Sequence, residues 1–453
     1  MRRLNQTGRL IACICVWLIA IVPAFAADKP NIIYLLADDL GHKDMGFLAG
    51  KIATPNLDKL AASGVTLSSF YVQPFSSQTR AAILTGRYPM RYGLQTMSIL
   101  PANQFGLPIE ERSLAQGLKE AGYKTAFIGK WQLGHAKAEW WPTKRGFDYF
   151  YGTLSGDVRD QIKKAQKNDW RRNDLAVKEE GGVTQLLAKD AINLINKHDA
   201  QSPLFLFAAF TAPGADASVE GGPGYAPGIS ALDDTVGQII SALEKKNMLG
   251  NTLIVFHSDN GGAVPSKFPT GDNDVKKNGA DNGIFREGRG SLYEGGVRVA
   301  AILSWQGKIK EKTSVARLVH ATDMYTTLLN LAGGKIDQPK KLDGVNAWPA
   351  IAEEQLSARQ DILLNVEDFR GAIRSGEWKL IVRAALPSKY ELFDIENDPE
   401  ESQNQAETYP DRVKALLKQL NEYAYEMAPS KYLEEIGQGK TLPIYWGDNP
   451  LRR

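Results

Sequence analysis

The run Ser76-Ser77-Gln78-Thr79-Arg80 sets a hydroxyl four positions ahead of a guanidinium, and the Ala81-Ala82-Ile83-Leu84 that follows favours helix. On one helical face these groups and the helix N-terminal N–H groups could hold a small oxyanion. By itself the pentapeptide also reads as a capped helix start, so its chemistry depends on what other elements bring to it. Asp38-Asp39 and Ser258-Asp259-Asn260 each end a short apolar run. Adjacent carboxylates repel unless a cation lies between them, although Asp38-Asp39 before Gly41 also suits a solvated turn. Asp38, Asp39, Asp259 and Asn260 make an all-oxygen, acid-rich set for a hard cation, calcium ahead of magnesium. Ser76 and Arg80 beside that cation, with Lys130 and Arg289 as further positive groups, would hold a tetrahedral oxyanion ester. Sulfuryl or phosphoryl transfer is the reaction class this implies.

The elements that must position these residues alternate strand with helix. Ile32 to Ala37 is an apolar run of the kind a strand buried on both faces needs, and it ends in the two aspartates. Thr54-Pro55-Asn56-Leu57-Asp58 gives an N-cap, a first-turn proline and an early acid. Val65 to Val72 predicts the strand before Ser76, and Ser113-Leu114-Ala115-Gln116 is a capping box. Thr125 to Ile128 predicts a strand delivering Gly129-Lys130-Trp131-Gln132, with His135 shortly after. Helices are expected over 183–198 and 229–246, and strands over 203–210, 253–257 and 299–305. Polar residues gathered at strand carboxyl ends describe an α/β doubly wound sheet. Short strands over 361–393 and a helix over 411–425 predict a smaller α+β domain. The expected division is a leader at 1–26, a catalytic domain at 27–350, a C-terminal antiparallel sheet plus helix at 351–430, and a polar tail at 431–453. Trp140 and Trp141, with Phe147, Tyr149, Phe150 and Tyr151 nearby, suit either a core or a surface for sugar rings.

Composition narrows the setting. Arg2, Arg3 and Arg9 precede the apolar run Leu10 to Phe25, and Ala24-Phe25-Ala26 offers the small residues a signal peptidase reads. The expectation is cleavage after Ala26 and export to a periplasmic or secreted location without stable membrane insertion, the apolar run being short for a span. Taking the leader's three arginines from the 54 basic residues leaves 51 against 52 acidic ones, a balance that does not favour nucleic acid. Cys13 and Cys15 both lie in the leader, so the mature chain has no thiol for zinc or disulfides.

In order and wording these motifs resemble the formylglycine-dependent sulfatases of the alkaline phosphatase superfamily. The resemblance spans Asn31 to Asp39, Thr54 to Asp58, Ser76 to Arg87, Gly129-Lys130-Trp131, Ser258 to Gly262, Tyr293 to Arg298, Arg374 to Lys379 and Tyr390 to Asp394. It implies a large mixed, mostly parallel sheet sandwiched by helices. It also implies a nucleophile made when a maturase oxidises Ser76 to formylglycine, whose hydrated aldehyde attacks sulfur and releases the alcohol. Asp38, Asp39, Asp259, Asn260 and the modified Ser76 would then hold calcium, Arg80 and Lys130 would steady nucleophile and sulfate, and the substrate would be a sulfated carbohydrate. Four positions depart from the family pattern. Gln78 stands where a proline or small residue is usual, and Gln132 where a histidine follows Gly-Lys-Trp. Arg289 replaces a lysine, and Gly214 replaces the histidine that protonates the leaving alcohol. General acid help is commonly worth about 10²–10⁴-fold, and His135 is the candidate substitute. These departures keep two other readings in play: an impaired homologue that binds sulfated glycans, and a phosphate or phosphonate ester hydrolase.

Overall fold

A computed structural model describes residues 29–156, 169–214, 224–264, 279–336, 338–353, 355–384 and 387–438. The expected leader at 1–26 and residues 439–453 of the expected tail lie outside them. The packing logic is visible in strand β1 (Asn31–Asp38), whose alternate residues enter different cores. Ile32, Tyr34 and Leu36 face one, and Ile33, Leu35 and Ala37 the other. The remaining strands of its sheet are β2 (Val65–Tyr71), β3 (Lys124–Lys130), β4 (Tyr149–Thr153), β5 (Trp170–Arg172) and β6 (Leu175–Ala176). They continue with β7 (Leu204–Pro213), β8 (Thr252–Ser258), β9 (Arg298–Ser304), β10 (Thr313–Val315) and β11 (Val319–His320).

Spatial order runs β10-β2-β9-β8-β1-β7-β3-β4-β5-β6, with β11 also paired to β2. The central strands β8, β1, β7, β3 and β4 are parallel, and β9 is antiparallel to both β8 and β2. Helices Ser76–Thr85, Leu114–Glu120 and Asp323–Leu331 cover one face through Ile83, Leu118 and Leu328. Helices Pro55–Ala62, Val183–Lys197 and Tyr225–Lys245 cover the other through Leu57, Leu187 and Val236. A parallel sheet buried on both faces is the arrangement the near-continuous apolar strands demand.

Several expected boundaries move in ways that bear on the site. β3 runs on to Lys130, which therefore sits on the strand, and β7 continues through Thr211 to Pro213. Ser113 and Gln116 form the expected capping box. Thr54 does not cap its helix; its Oγ accepts from Gly46 N at 2.8 Å and donates to Asp58 at 2.9 Å instead. The second sheet holds β12 (Asp361–Glu367), β13 (Arg370–Ser375), β14 (Trp378–Arg383) and β15 (Lys389–Asp394), paired antiparallel in that order. Leu363, Ile373, Leu380 and Leu392 pack on helix Pro410–Tyr425 through Leu416 and Leu420. The opposite face meets the main domain at Tyr71, Leu292, Tyr293 and Val297. Helix Lys431–Gly437, whose Ser430 cap accepts from Leu433 N at 3.3 Å, occupies the start of the stretch expected as tail. No described helix is long and apolar enough to cross a membrane.

Candidate active site

Four neighbouring parallel strands release their chains at one edge of the sheet, where open α/β folds gather ligands. β1 ends at Asp38, β8 leads to Asp259-Asn260, β3 ends at Lys130, and β7 ends at Pro213 before Gly214. Asp39 turns into the left-handed region at φ +60°, unusual without glycine. Its N–H lies 3.3 Å from Asp259 Oδ1, and its carbonyl accepts from the Tyr225 hydroxyl at 3.0 Å, which hold the turn in place.

Ser76 opens the helix that points at this edge. The chain enters extended at Phe75, and Thr79 fixes the entry by accepting from Gln73 N at 2.9 Å. Every residue of the helix is buried, so its placement is dictated by packing on both sides. Ser76 Oγ lies 3.3 Å from Asp38 Oδ1 and 3.2 Å from Asn260 Oδ1. One turn later Arg80 donates to the Lys130 carbonyl at 2.6 Å and to Asp259 Oδ2 at 2.8 Å, joining helix, β3 and β8. Lys130 Nζ reaches both oxygens of Asp38, at 2.9 and 2.8 Å. Arg289 donates to Asp39 Oδ2 at 2.8 Å, and Asn260 Nδ2 to Asp39 Oδ1 at 2.6 Å. Each carboxylate thus carries one cation.

Burial sets the electrostatics. Carboxylate oxygens of Asp38, Asp39 and Asp259 lie within 4.8 Å of one another. Burial raises the Asp259 carboxyl to about 7, helped by the Asp38 charge and opposed by Arg80 and Lys130. Burial likewise raises Asp39 against the pull of Arg289. For Asp38 burial also pushes upward, but Lys130 and Arg80 outweigh it and hold the group below its usual range. Three crowded carboxylates, two of them reluctant to ionise, together with the Asn260 amide oxygen, are a donor set that suits a hard divalent cation.

The structure therefore brings together Ser76, Arg80, Lys130, Arg289, Asp38, Asp39, Asp259 and Asn260. Gln132 sits beside them at φ +54°; its carbonyl accepts from Ser77 Oγ at 2.8 Å, and its Oε1 is buried without a hydrogen-bond partner. Gly214 abuts the acids: a Cβ there would meet Asp39 Oδ2 at 2.9 Å and the Asp38 carbonyl at 3.1 Å. His135 is bonded elsewhere, with Nε2 at 3.1 Å from the Pro101 carbonyl. The two tryptophans are placed in packing. Trp140 is buried against Gly106 and Gly134, because its carbonyl and ring close the loop around Trp131. Trp141 carries the Arg171 guanidinium 4.2 Å from its ring centre and donates its indole N–H to the His135 carbonyl at 2.9 Å.

Two further residues at the site were not singled out by the sequence. Tyr225 donates to the Asp39 carbonyl and to Asp44 Oδ2 at 2.6 Å, bracing the aspartate turn from a helix 186 residues away. Ser258 Oγ accepts from Leu40 N at 2.9 Å on the other side of the same turn. Ser258 stood inside a recognised motif; nothing short of the fold could bring Tyr225 to Asp39.

A serine-headed helix set against an acid-lined edge of a mostly parallel sheet, with Arg80, Lys130 and Arg289 beside it, is an arrangement suited to the hydrolysis of oxyanion esters. Comparison with known proteins is specific. The sulfatase family profile matches residues 30–334, and that of the N-sulphoglucosamine sulphohydrolase C-terminal region matches 283–427. Arylsulfatase J of Mus musculus is 32% identical, over 89% of this chain and 77% of its own. N-acetylgalactosamine-6-sulfatase of Mus musculus is 34% identical, over 75% of this chain and 70% of its own. Among solved structures, Ps i-CgsB in complex with k-i-k-neocarrahexaose superposes with a TM-score of 0.79 at 31% identity, covering 92% of this chain and 98% of that one. PsFucS1 sulfatase from Pseudoalteromonas sp. gives 0.73 at 28% identity, covering 89% and 91%. The chain belongs to the sulfatase family and is a sulfuric ester hydrolase.

Proposed function

We propose that this sulfatase is exported, depends on calcium, and removes sulfate from a sulfated carbohydrate by means of a formylglycine made from Ser76. The observation that carries the reading is the position of Ser76 Oγ, 3.3 Å from Asp38 and 3.2 Å from Asn260, with Lys130 locked to Asp38 and Arg80 to the neighbouring Asp259. Asp38, Asp39, Asp259 and Asn260 would hold the calcium, which supplies a fixed positive charge against the negative charge that develops in sulfuryl transfer. Arg80 fixes the nucleophile helix to β3 and β8, so the residue at 76 does not have to be ordered during reaction. Lys130 favours the ionised form of Asp38, Arg289 opposes the burial that raises Asp39, and both add donors where an anionic ester would lie. The carbohydrate assignment is supported by the likeness to a structure holding k-i-k-neocarrahexaose, and export by the Leu10 to Phe25 leader. The test is sulfate release from sulfated carrageenan and glycosaminoglycan oligosaccharides by protein matured with a formylglycine-forming enzyme. Release that disappears on chelation supports the reading, and none from any substrate by converted protein sinks it.

A second reading has its own observation. All five histidines are described, and His42, His135, His198, His257 and His320 each pack or bond away from Ser76, while position 214 is glycine. A protein that binds sulfated glycans and turns them over slowly would look like this. Tight binding of the same oligosaccharides with no release from converted protein would favour it.

A further inference from the structure

The first turn of the Ser76 helix lacks the usual local lock. Phe75 stands at the N-cap position and makes no side-chain cap, so the turn that carries the nucleophile is steadied by bonds to other segments. Ser77 Oγ donates to the Gln132 carbonyl at 2.8 Å and accepts from Ile99 N at 2.9 Å. Gln78 Nε2 donates to the Gln95 carbonyl. Residues 95–99 thus form a collar against two successive residues of the turn. A proline or small apolar residue at 78 could not make its part of that contact, so the link belongs to this chain's own departure from the family pattern.

The collar is held in turn by the C-terminal domain and the segment that follows its helix. Asn365 of β12 donates at 2.9 Å to the same Gln95 carbonyl. Gln95 Nε2 donates to the Ala428 carbonyl at 2.9 Å, and Thr96 Oγ1 lies 2.7 Å from Ser430 Oγ. β12 reaches the helix entry as well, where Gln73 Nε2 lies 3.4 Å from the Leu363 carbonyl. A bulge aims Asn365 at the collar. The pairing of β12 with β13 slips between Leu363 and Asn365, so Val366 joins Leu363 on the face that meets helix Pro410–Tyr425, and Asn365 turns the other way. Gln78, Gln95 and Asn365 are all buried, where a hydrogen bond counts for more than it does in water.

We propose that Gln78 and Asn365 are positioning residues: through the Gln95 carbonyl they share, the C-terminal sheet fixes the first turn of the nucleophile helix and with it the attacking atom. This rests on the reading of residue 76 as the converted nucleophile. It is tested with N365A, with Q78A, which probes the same link from the helix side, and with the double variant, in full-length matured enzyme with rates taken per converted protein. Each single variant should lower kcat about 10- to 100-fold with KM and inhibition by inorganic sulfate unchanged, because a misplaced attacking group costs rate and not ground-state binding. The double variant should lose little more than either single one, since both break one chain of bonds. An unchanged kcat in N365A overturns the proposal, as does a rise in KM alone or a double variant whose losses multiply. Should wild type release no sulfate, the parent reading fails, and hydrogen exchange of the peptide over 73–85 decides in its place. Faster exchange there in N365A, with the rest of the main sheet unchanged, supports the positioning role, and equal exchange ends it.

Discussion

Two buried charge clusters flank the segment that runs from Arg286 to Arg298, and they handle buried carboxylates in opposite ways. At the active edge three acids crowd together, each with one cation: Asp38 with Lys130, Asp39 with Arg289, Asp259 with Arg80. Behind it, one acid of a buried pair gathers most of the donors. Glu294 accepts from the Tyr71 hydroxyl at 2.6 Å, from Lys379 at 2.9 Å and from Arg298 at 3.2 Å, and Lys379 bridges on to Glu401 at 2.8 Å. Burial pushes Glu294 upward, but Lys379, Arg298 and Arg374 bring it down to about 2, whereas Asp259 stands near 7. Acids surrounded by cations complete themselves, and acids surrounded by acids suit a further cation. The first arrangement welds the C-terminal sheet to the strand that leads to Ser76. The second is suited to chemistry.

The comparison can be broken at either end. The largest effect should come from Ser76→Ala, which removes the nucleophile and lowers sulfate release by at least about 10³-fold. Its unfolding midpoint should hardly move, since the two hydrogen bonds made by the Ser76 hydroxyl are long, at 3.2 and 3.3 Å. Lys379→Met should do the reverse. It strands two buried glutamates and should cost about 3–5 kcal/mol in denaturant unfolding, with kcat changing far less while the protein stays folded. Chelation should then separate the clusters by ligand. Adding calcium back at 100-fold its Kd should recover activity together with about 2.7 kcal/mol of stability, and Asp259→Asn should recover neither in full.

The smallest effect is a pH signature inside the second cluster. Burial, with the Glu294 charge adding to it, raises Glu401 to about 7 from an ordinary 4.5 despite Lys379. The folded state therefore holds that proton more tightly, and the stability it contributes is complete below 4.5 and lost as pH rises to about 7. Glu294, lowered to about 2, contributes above 4.5 and loses its contribution as pH falls toward 2. Stability profiles of Glu401→Gln and Glu294→Gln should flatten in those two separate windows. Flattening in the same window would show that the pair titrates as one unit.

Most of the active edge was legible because each acid closes an apolar strand, so Asp38, Asp39, Asp259 and Asn260 announced their places by pattern alone. Ser76 and Arg80 were legible as one helical turn. What holds them was not. Tyr225 reaches Asp39 from across the sheet, and Lys379 and Glu401 meet Glu294 from the second domain, contacts that leave no local spacing to read. Trp140 closes the loop around Trp131 and Trp141 lies against Arg171, a placement the sequence left open because aromatic content is the same in a core and on a binding face. Thr54 looked like a helix cap but spends its hydroxyl on Gly46 and Asp58.

The central claim is that the residue at 76 is the converted nucleophile of a working sulfatase. Its most direct test is the mass of the peptide containing Ser76, measured on the same preparation as sulfate release after maturation to different extents. The account predicts a peptide lighter by two hydrogens, with release rising in proportion to the converted fraction. Release by unconverted protein, or full conversion with no release from any sulfate ester, would contradict it.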